Sequence, residues 1–507
     1  MTRSVRDQTP GPIGPLGSVA CLLAAVVASL WVVVANGGPT FYFDSGAYLE
    51  RGGQLASMLG LEPPEMPVGS DTPTAPEAAL SAPGPQAIEG TRAMSYSLLF
   101  GLFLVARFVE GIALLNALLA VGTLWLVSAV MLRDLPRRYG AAVVTLAATA
   151  LASLGALAFY VAFLMPDIFM PVLILLLALL LAYGPQMRPW ELALALGLGA
   201  FAVTVHLSHL VVAAMAIPVA ILVALCSVRS KPGFRRWRAT VLIGLIAVAG
   251  IAEQATLRLA AKETFGAEVI YRPFLTARLI QDGPGLGYLE DHCPNAEEPS
   301  CALFDALSAS SDPDRLSATN ISFSTDPDKG SYRLLPEVEQ IAVAQDQFDF
   351  FFRVLVDRPA ESLLALSRNT TRQLFLVDVD MTLQTDQIVA TASDLPGMAY
   401  ARFDHGRLTA NRSWLDLVRP AQQALYLVSA LFLVWLVLTR RVPGAVTMFM
   451  SMVLLGIVAN AIVTGGLSQP ALRYGARVVW LLPAIAVLGG AVWLSRRAPP
   501  PTSDGAR

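Results

Sequence analysis

Charged residues are scarce in this sequence, because Asp, Glu, Lys and Arg together make up only 15% of its 507 residues. A soluble surface requires about a quarter of the residues to be charged. The hydrophobic share is 55%, and the mean hydropathy is +0.58. The composition therefore excludes an ordinary soluble protein of two or three domains. It predicts a polytopic membrane protein with much of its surface in contact with membrane lipids.

An excess of charge of either sign is also absent, since 36 basic residues face 38 acidic ones and the net charge is -2. Nucleic-acid-binding proteins carry a strong basic excess, so we expect no nucleic-acid partner. Lysine is rare as well, while Ala, Leu and Arg are abundant. This usage indicates a bacterial protein encoded in a GC-rich genome.

About ten stretches are apolar over the roughly 20 residues that a membrane-spanning helix needs. A short interfacial helix from Tyr96 is expected before the second span. The first stretch is longer than the apolar core of a signal peptide, which favours a retained anchor. The predicted spans are 13–35, 110–132, 140–162, 167–183, 190–206, 208–227, 239–259, 421–439, 443–464 and 476–495.

Basic residues fall on one side of this arrangement when the connections alternate. Cytoplasmic loops of membrane proteins are enriched in Lys and Arg, so both termini are predicted to be cytoplasmic, in a bacterial inner membrane. Most acidic residues then lie outside, in the periplasm. The inner basic residues are Arg3, Arg6, Arg133, Arg137, Arg138, Arg188, Arg229, Lys231, Arg235, Arg236, Arg238, Arg440, Arg441, Arg496 and Arg497.

The sequence divides into three predicted parts. Residues 1–259 form an N-terminal transmembrane module of about seven spans, in which a long, proline-rich first outer loop covers 36–95. Residues 260–420 form a mixed, mainly helical periplasmic domain, and 421–507 form a C-terminal transmembrane module of about three spans. Within the outer domain, apolar residues recur every three to four positions from Pro336 to Leu376, which predicts two helices broken at Pro359.

Two of the four cysteines, Cys293 and Cys301, lie close together in the outer domain. Such a pair in an oxidising compartment favours a disulfide. The alternative is a metal site that also uses His292, although a fourth ligand is lacking.

Ionisable residues at the outer ends of spans are candidates for function in a membrane protein. Asp44 follows the first span among Tyr42, Phe43 and Tyr48, and it could act as a general base on an acceptor hydroxyl. Asp167 lies in the turn before the fourth span and could face Asp44 across an outward-open cavity. Each carboxylate could instead cap a helix.

Basic and histidine side chains at the same ends could bind an anion. Arg473 and Arg477 lie one helical turn apart on either side of Tyr474, against the positive-inside preference, and suit a phosphate clamp. They could instead pair with acids of the outer domain. His206 and His209, expected to share one face of a helix, could bind a phosphate or a metal, or be ordinary interfacial residues.

The end of the first loop adds Arg92 and Tyr96 to the candidates. With Tyr42 and Tyr48, they are predicted to bind substrate at the membrane surface.

An Asp directly after the first span, a second Asp in the second outer loop and an Arg-Tyr pair before a late span resemble the GT-C glycosyltransferases. This class includes protein mannosyltransferases and aminoarabinose transferases. The resemblance covers the layout of the first seven spans. The FDSGAYL segment lacks the adjacent Asp-Glu pair that some members carry, so the use of a divalent metal is left open.

The resemblance implies an inverting transfer of a sugar from a polyprenyl-phosphate donor to an envelope glycan, lipid or protein. It implies that Asp44 accepts the proton of the acceptor, and that Asp167 orients the acceptor or holds a divalent ion. Arg473, Arg477, Tyr474 and one or both histidines would bind the donor phosphate.

Three other functions fit parts of the sequence. A lipid or glycan transporter (flippase) would explain the spans but not the outer domain, and its ionisable groups would lie near the midplane. A membrane O-acyltransferase could use His206 or His209 as a base. A non-catalytic envelope-assembly protein could use the outer domain for docking.

Overall fold

The computed structural model describes residues 14–64, 86–133, 140–226, 237–293, 298–385 and 406–497, which are almost entirely helical. Most of the proline-rich tract lies outside these residues. So do the N-terminal basic residues and the predicted inner basic residues at 137–138 and 229–236.

Seven helical segments within the described ranges are long and apolar enough to cross a membrane, which confirms the predicted polytopic helix bundle. Their ends next to Asp44 are called outer ends here, after the predicted orientation. The elements before the outer domain are α1 (Pro15–Ser29), α2 (Trp31–Asn36), α3 (Phe43–Met58), β1 (Gln86–Glu89), α4 (Met94–Val105), α5 (Gly111–Met131), α6 (Ala141–Leu154), α7 (Leu157–Ala162), α8 (Phe169–Tyr183), α9 (Pro189–Thr204), α10 (Leu207–Cys226) and α11 (Arg238–Phe265).

Three of the ten predicted spans are not among these seven segments, and the tenth is divided at Trp480 into two helices. The first is divided at Leu30 into α1 and α2, and the fifth, α9, has only 16 residues. The third is divided at Gly155 into α6 and α7. A Cβ atom on Gly155 would lie 2.9 Å from the ring of Tyr426. The glycine at the break therefore lets this ring, which belongs to the C-terminal spans, pack closely against the backbone.

Helix α8 forms the centre of the bundle, because all fifteen of its residues are buried. Such a helix has no lipid-facing side, which explains why it lacks an amphipathic pattern. Its outer end is therefore inside the protein. Asp167, which comes just before α8, is consequently placed in the interior.

The first outer loop begins with α3, which packs so closely against α4 that the backbones of the two helices are in contact. A Cβ atom on Gly52 would lie 2.3 Å from the carbonyl oxygen of Ser97, and one on Gly101 would lie 2.1 Å from that of Gly52. Only glycines allow two helices to approach so closely. The contact holds the two ends of the first loop together at the outer surface.

Strand β1 ends the first loop and pairs in parallel with β2, which follows α11. This pair ties the loop to the outer domain, and the sequence analysis did not predict it. The remaining elements are β2 (Ala267–Ile270), α12 (Phe274–Asp282), α13 (Pro284–His292), α14 (Pro299–Ala309), α15 (Ala318–Phe323), α16 (Glu337–Asp357), α17 (Pro359–Phe375), α18 (Arg407–Ala410), α19 (Trp414–Leu438), α20 (Gly444–Ala461), α21 (Leu472–Val479) and α22 (Leu481–Arg497).

The outer domain has a small apolar core of its own, made by residues of α12 to α16. The break predicted at Pro359 separates α16 from α17. Helix α17 packs on the outer ends of the last spans, where a Cβ atom on Gly475 would lie 2.1 Å from the carbonyl oxygen of Leu376. The domain therefore sits directly on the membrane bundle.

Cys293 and Cys301 form a disulfide whose Cα atoms are 5.4 Å apart, which confirms the predicted bond. It connects the end of α13 to the start of α14. The rival metal site is therefore wrong in this state, because both sulfur atoms are used in the bond.

We expect the variant Cys293→Ser/Cys301→Ser to lose about 2–3 kcal/mol of stability in the outer domain, since the bond restricts a short loop of the unfolded chain. Thermal unfolding of the purified protein would measure this loss. Reductant should lower the unfolding temperature of the wild type but leave that of the double variant unchanged. An equal response of both proteins to reductant would contradict the prediction.

Candidate active site at the outer ends of the spans

Asp44 lies in the first turn of α3 and does not cap it, because Tyr42 occupies the cap position and Ser45 makes the capping hydrogen bond. Its side chain is 30% exposed. Nη2 of Arg92 donates to one carboxylate oxygen at 2.5 Å, and Nη1 of Arg473 lies 3.4 Å from the other. Asp44 is therefore a paired carboxylate that still reaches solvent.

Asp167 lies in a short 3-10 turn, Pro166–Ile168, and it is 1% exposed. Nε of Arg473 is 3.1 Å from both carboxylate oxygens, and Nη2 is 2.8 Å from one of them. Nη1 of Arg477 approaches the carboxylate to 3.3 Å. The carboxylate is thus held between two guanidinium groups, and it does not cap α8.

Arg473 bridges the two carboxylates, so the structure brings Asp44 and Asp167 together around one side chain. The sequence predicts that they face each other across an outward-open cavity. Instead, the buried guanidinium group of Arg473 lies between the two carboxylates. This fits the rule that a charge buried in a protein needs oppositely charged partners. The pairing also differs from the alternative in which these arginines bind acids of the outer domain.

Aromatic rings surround the two arginines of α21. The guanidinium carbon of Arg473 lies 4.7 Å from the ring centre of Tyr42, and that of Arg477 lies 5.1 Å from the ring centre of Tyr474. The hydroxyl of Tyr160 donates to the backbone oxygen of Arg473. Such stacking stabilises a cation that has left water, which accounts for arginines that are 3% and 0% exposed.

The cluster keeps one unbalanced positive charge. The guanidinium groups of Arg92, Arg473 and Arg477 face the carboxylates of Asp44 and Asp167. Glu89 pairs with Arg272 at 2.6 Å and with Arg92 at 3.6 Å, and counting Glu89 together with Arg272 leaves that balance unchanged. An anion with one negative charge would complete the cluster.

Outside the spans, the ionic states at the edge of the cluster are fixed by opposing effects. Burial acts to raise the pKa of Glu89, but the guanidinium groups of Arg272 and Arg92 outweigh it and hold that pKa below its ordinary value. Burial acts to lower the pKa of Arg92, and Asp44 and Glu89 more than offset it. Both side chains are therefore charged at neutral pH.

The two histidines do not share a helical face, because His206 precedes α10 and only His209 lies within it. Nδ1 of His206 accepts from the backbone N–H of Ser208 at 3.1 Å. The Ser208 hydroxyl lies 3.3 Å from Nη2 of Arg477. The ring centres of the histidines are 5.4 Å apart, so both lie beside the arginine cluster.

Asn460, which the sequence analysis missed, is a partner of Arg477. Its side-chain oxygen accepts hydrogen bonds from Nη2 at 2.7 Å and Nε at 3.1 Å, and its Nδ2 donates to the backbone oxygen of Tyr474. A polar side chain inside an apolar span is itself an indication of function. This was the only feature of the sequence from which Asn460 could have been predicted.

The other predicted aromatic residues lie inside the protein. Tyr48 and Tyr96 are 2% and 0% exposed and meet edge to face with ring centres 5.0 Å apart. Their contact packs α3, which carries Asp44, against α4, which follows Arg92. A direct contact of either ring with substrate stays a prediction.

A divalent metal does not fit this cluster. Both carboxylates are already bound by guanidinium groups, and a metal ion would have to lie among three positive charges. Within the described ranges, no three His, Cys, Asp or Glu side chains are grouped as metal ligands.

An apolar groove of about 150 Å³ opens between α8, α10 and α20. Its outer end adjoins the cluster, because Val212 lies one helical turn from Ser208 and Ala459 precedes Asn460. From there, the lining continues along α10 from Val212 to Val219. Its lining residues are Ile174, Leu177, Val212, Met215, Ala216, Val219, Met452, Leu455, Gly456, Val458, Ala459 and Ile462.

No protein-family model and no curated protein matches this chain. The chain is similar to two crystal structures of ArnT from Cupriavidus metallidurans, one apo and one bound to undecaprenyl phosphate. Sequence identity is 14% in both, with 94% and 95% of this chain and 77% and 79% of ArnT covered, and the TM-scores are 0.30 and 0.29. Scores this low carry no argument, so function must be inferred from the contacts above.

Proposed function

We propose that this protein is an integral-membrane glycosyltransferase that moves a sugar from a polyprenyl-phosphate donor to an envelope acceptor. The observation that carries the proposal is the buried arginine cluster, with one excess positive charge, at the outer end of an apolar groove. A lipid phosphate has the matching shape and charge, since an apolar chain is joined to an anionic head. In the proposed orientation, the reaction takes place on the periplasmic side of the bacterial inner membrane.

The groove would hold the first part of the lipid chain. Its twelve lining residues carry only apolar side chains or glycine, and α10 is largely exposed on the surface of the bundle, so the rest of a long chain could remain in the bilayer. The phosphate would then lie near Arg477, Asn460 and Ser208. A phosphodiester carries one negative charge, which balances the excess of the cluster.

In the proposed reaction Asp44 is the general base, because it is the carboxylate of the cluster that reaches solvent. It accepts the proton of the acceptor hydroxyl while the oxygen attacks the anomeric carbon. The bond from that carbon to the phosphate oxygen breaks, and the lipid phosphate leaves with an additional negative charge. Attack opposite to the leaving group inverts the anomeric configuration.

Arg477 and Arg473 would stabilise the charge that develops on the leaving phosphate. Asp167 would act as a positioning residue that fixes both guanidinium groups. Tyr474 would support them through its ring. This role for Asp167 replaces the metal or acceptor contact that the resemblance implies, because both of its oxygens already bind arginine.

A transfer assay tests the proposal. The protein in lipid nanodiscs would be incubated with polyprenyl phosphates that carry labelled sugars and with envelope extract from a strain that lacks the protein. We expect label to move to one envelope component, with release of free polyprenyl phosphate. If no donor in a panel of hexoses and pentoses loses its sugar, the proposed activity is wrong.

The groove gives a second prediction. Ala216→Trp should fill part of the groove with its side chain. We expect the KM for the lipid donor to rise about tenfold, since about 1.4 kcal/mol of the binding free energy of the lipid chain would be lost. The kcat should change little, because the cluster is untouched. Initial rates over a range of donor concentrations would measure both constants.

Leu222→Trp is the matched control, because Leu222 lies on the same helix, is 60% exposed and does not line the groove. Its KM should equal that of the wild type. Equal KM values for both tryptophan variants would contradict a lipid chain in this groove.

A further inference from the structure

The hydrogen bonds of the two histidines determine which ring nitrogen carries the proton. Nδ1 of His209 lies 2.6 Å from the backbone oxygen of Ala202. A carbonyl oxygen can only accept, so Nδ1 carries the proton. In the neutral ring, Nε2 then keeps its lone pair and can only accept a hydrogen bond.

His206 has the opposite arrangement. Its Nδ1 accepts from the backbone N–H of Ser208, so the proton of the neutral ring is on Nε2. His206 therefore offers a donor and His209 an acceptor.

Nε2 of His209 has no hydrogen-bond partner among the residues that the structure describes, and the whole side chain is 0% exposed. Buried polar atoms are almost always paired, so an unpaired one requires an explanation. In the ring, Nε2 is separated from Nδ1 by one carbon atom, so it points in a different direction from the Ala202 contact. The ring is also within electrostatic range of Arg477 and Asp167.

A phosphate oxygen cannot fill this position while the ring is neutral. A phosphodiester has acceptors but no donor hydrogen, and Nε2 of His209 is also an acceptor. The phosphate can instead be bound by Arg477 and by the Nε2–H group of His206. The partner that fits His209 is a group with a hydrogen to donate, next to the phosphate.

We propose that Nε2 of His209 binds a hydroxyl or amino hydrogen of the sugar that is attached to the donor phosphate. His209 is thus a specificity-determining residue that recognises the glycosylated lipid over the bare one. The inference rests on the proposed glycosyltransferase function, and it gives His209 a different role from the phosphate ligand that the sequence analysis expected.

Two variants separate the two nitrogen atoms of the ring. Asparagine places its amide N–H where Nδ1 lies, so His209→Asn keeps the bond to Ala202 and loses the acceptor at Nε2. Glutamine places its carbonyl oxygen near the position of Nε2, so His209→Gln keeps that acceptor and loses the bond to Ala202. Dissociation constants would be measured in nanodiscs for polyprenyl phosphate alone, and for the same lipid carrying glucose or arabinose.

We expect the wild type and His209→Gln to bind one glycosylated lipid about tenfold more tightly than the bare lipid, the size expected for one buried hydrogen bond. His209→Asn should bind both equally, with its affinity for the bare lipid unchanged. A preference that survives in His209→Asn overturns the inference, because the acceptor is then not needed. Loss of the preference for the glycosylated lipid in His209→Gln alone overturns the inference too. The preference would then depend on the hydrogen bond from Nδ1 to Ala202 and not on the acceptor at Nε2.

The proposed function fails in a different way. If the wild type binds neither the bare nor the glycosylated lipids, the lipid-phosphate site itself is absent. Binding of all these lipids with no effect of either His209 variant refutes only the inference about His209.

Discussion

Replacement of Asp167 by Asn is expected to destabilise the protein by about 3–5 kcal/mol, because it leaves two buried guanidinium groups without their shared carboxylate. Asp167 is 1% exposed, and both of its oxygens bind Arg473 or Arg477. The folded yield and the thermal unfolding temperature in detergent should both fall. Sugar transfer should be lost with them.

A second replacement tests the cause of this loss. Arg477→Gln removes one of the two cations, so adding it to Asp167→Asn should destabilise less than the sum of the single changes. Such non-additivity is expected for side chains in one ionic network. If Asp167→Asn unfolds at the wild-type temperature, or if the two effects simply add, the carboxylate does not hold the arginine pair.

Replacement of Asp44 by Asn is expected to lower the transfer rate roughly a thousandfold, within the range that a general base contributes. Asn has nearly the same shape but cannot accept the proton of the acceptor hydroxyl. The fold should be preserved, since the side chain of Asp44 is 30% exposed. Release of polyprenyl phosphate from a labelled donor would measure the rate, and the unfolding temperature would report the fold.

The matched control is Glu50→Gln, which removes a carboxylate from the same helix without touching the cluster. Its transfer rate should equal that of the wild type. Two results would contradict the role of Asp44: a rate within a few fold of the wild type for Asp44→Asn, or an equal loss in Glu50→Gln.

The long spans could be predicted because apolar length alone determines them. The breaks at Leu30 and Gly155 could not, since each lies within an apolar stretch long enough to cross the membrane. At Gly155, the ring of Tyr426, which is distant in the sequence, lies where a side chain would be. The pairing of β1 with β2 was missed for a similar reason, because four-residue strands far apart in the chain leave little pattern.

The candidate site was predictable where charge was unusual for its position. Arg473 and Arg477 were found because basic residues at outer span ends oppose the positive-inside preference. Their partner Asn460 was missed because a single amide has no spacing that marks it. The bridge through Arg473 was also missed, since only tertiary packing brings Asp44 and Asp167 to one guanidinium group.

The central claim is that the arginine cluster and the apolar groove together hold a lipid phosphate. The most direct measurement is a cryo-electron microscopy structure of the full chain in nanodiscs with polyprenyl phosphate. We expect phosphate density within hydrogen-bond distance of Arg477 or Arg473 and lipid-chain density between α8, α10 and α20. Lipid bound elsewhere, with the groove filled by side chains or the phosphate at the opposite ends of the spans, would contradict it.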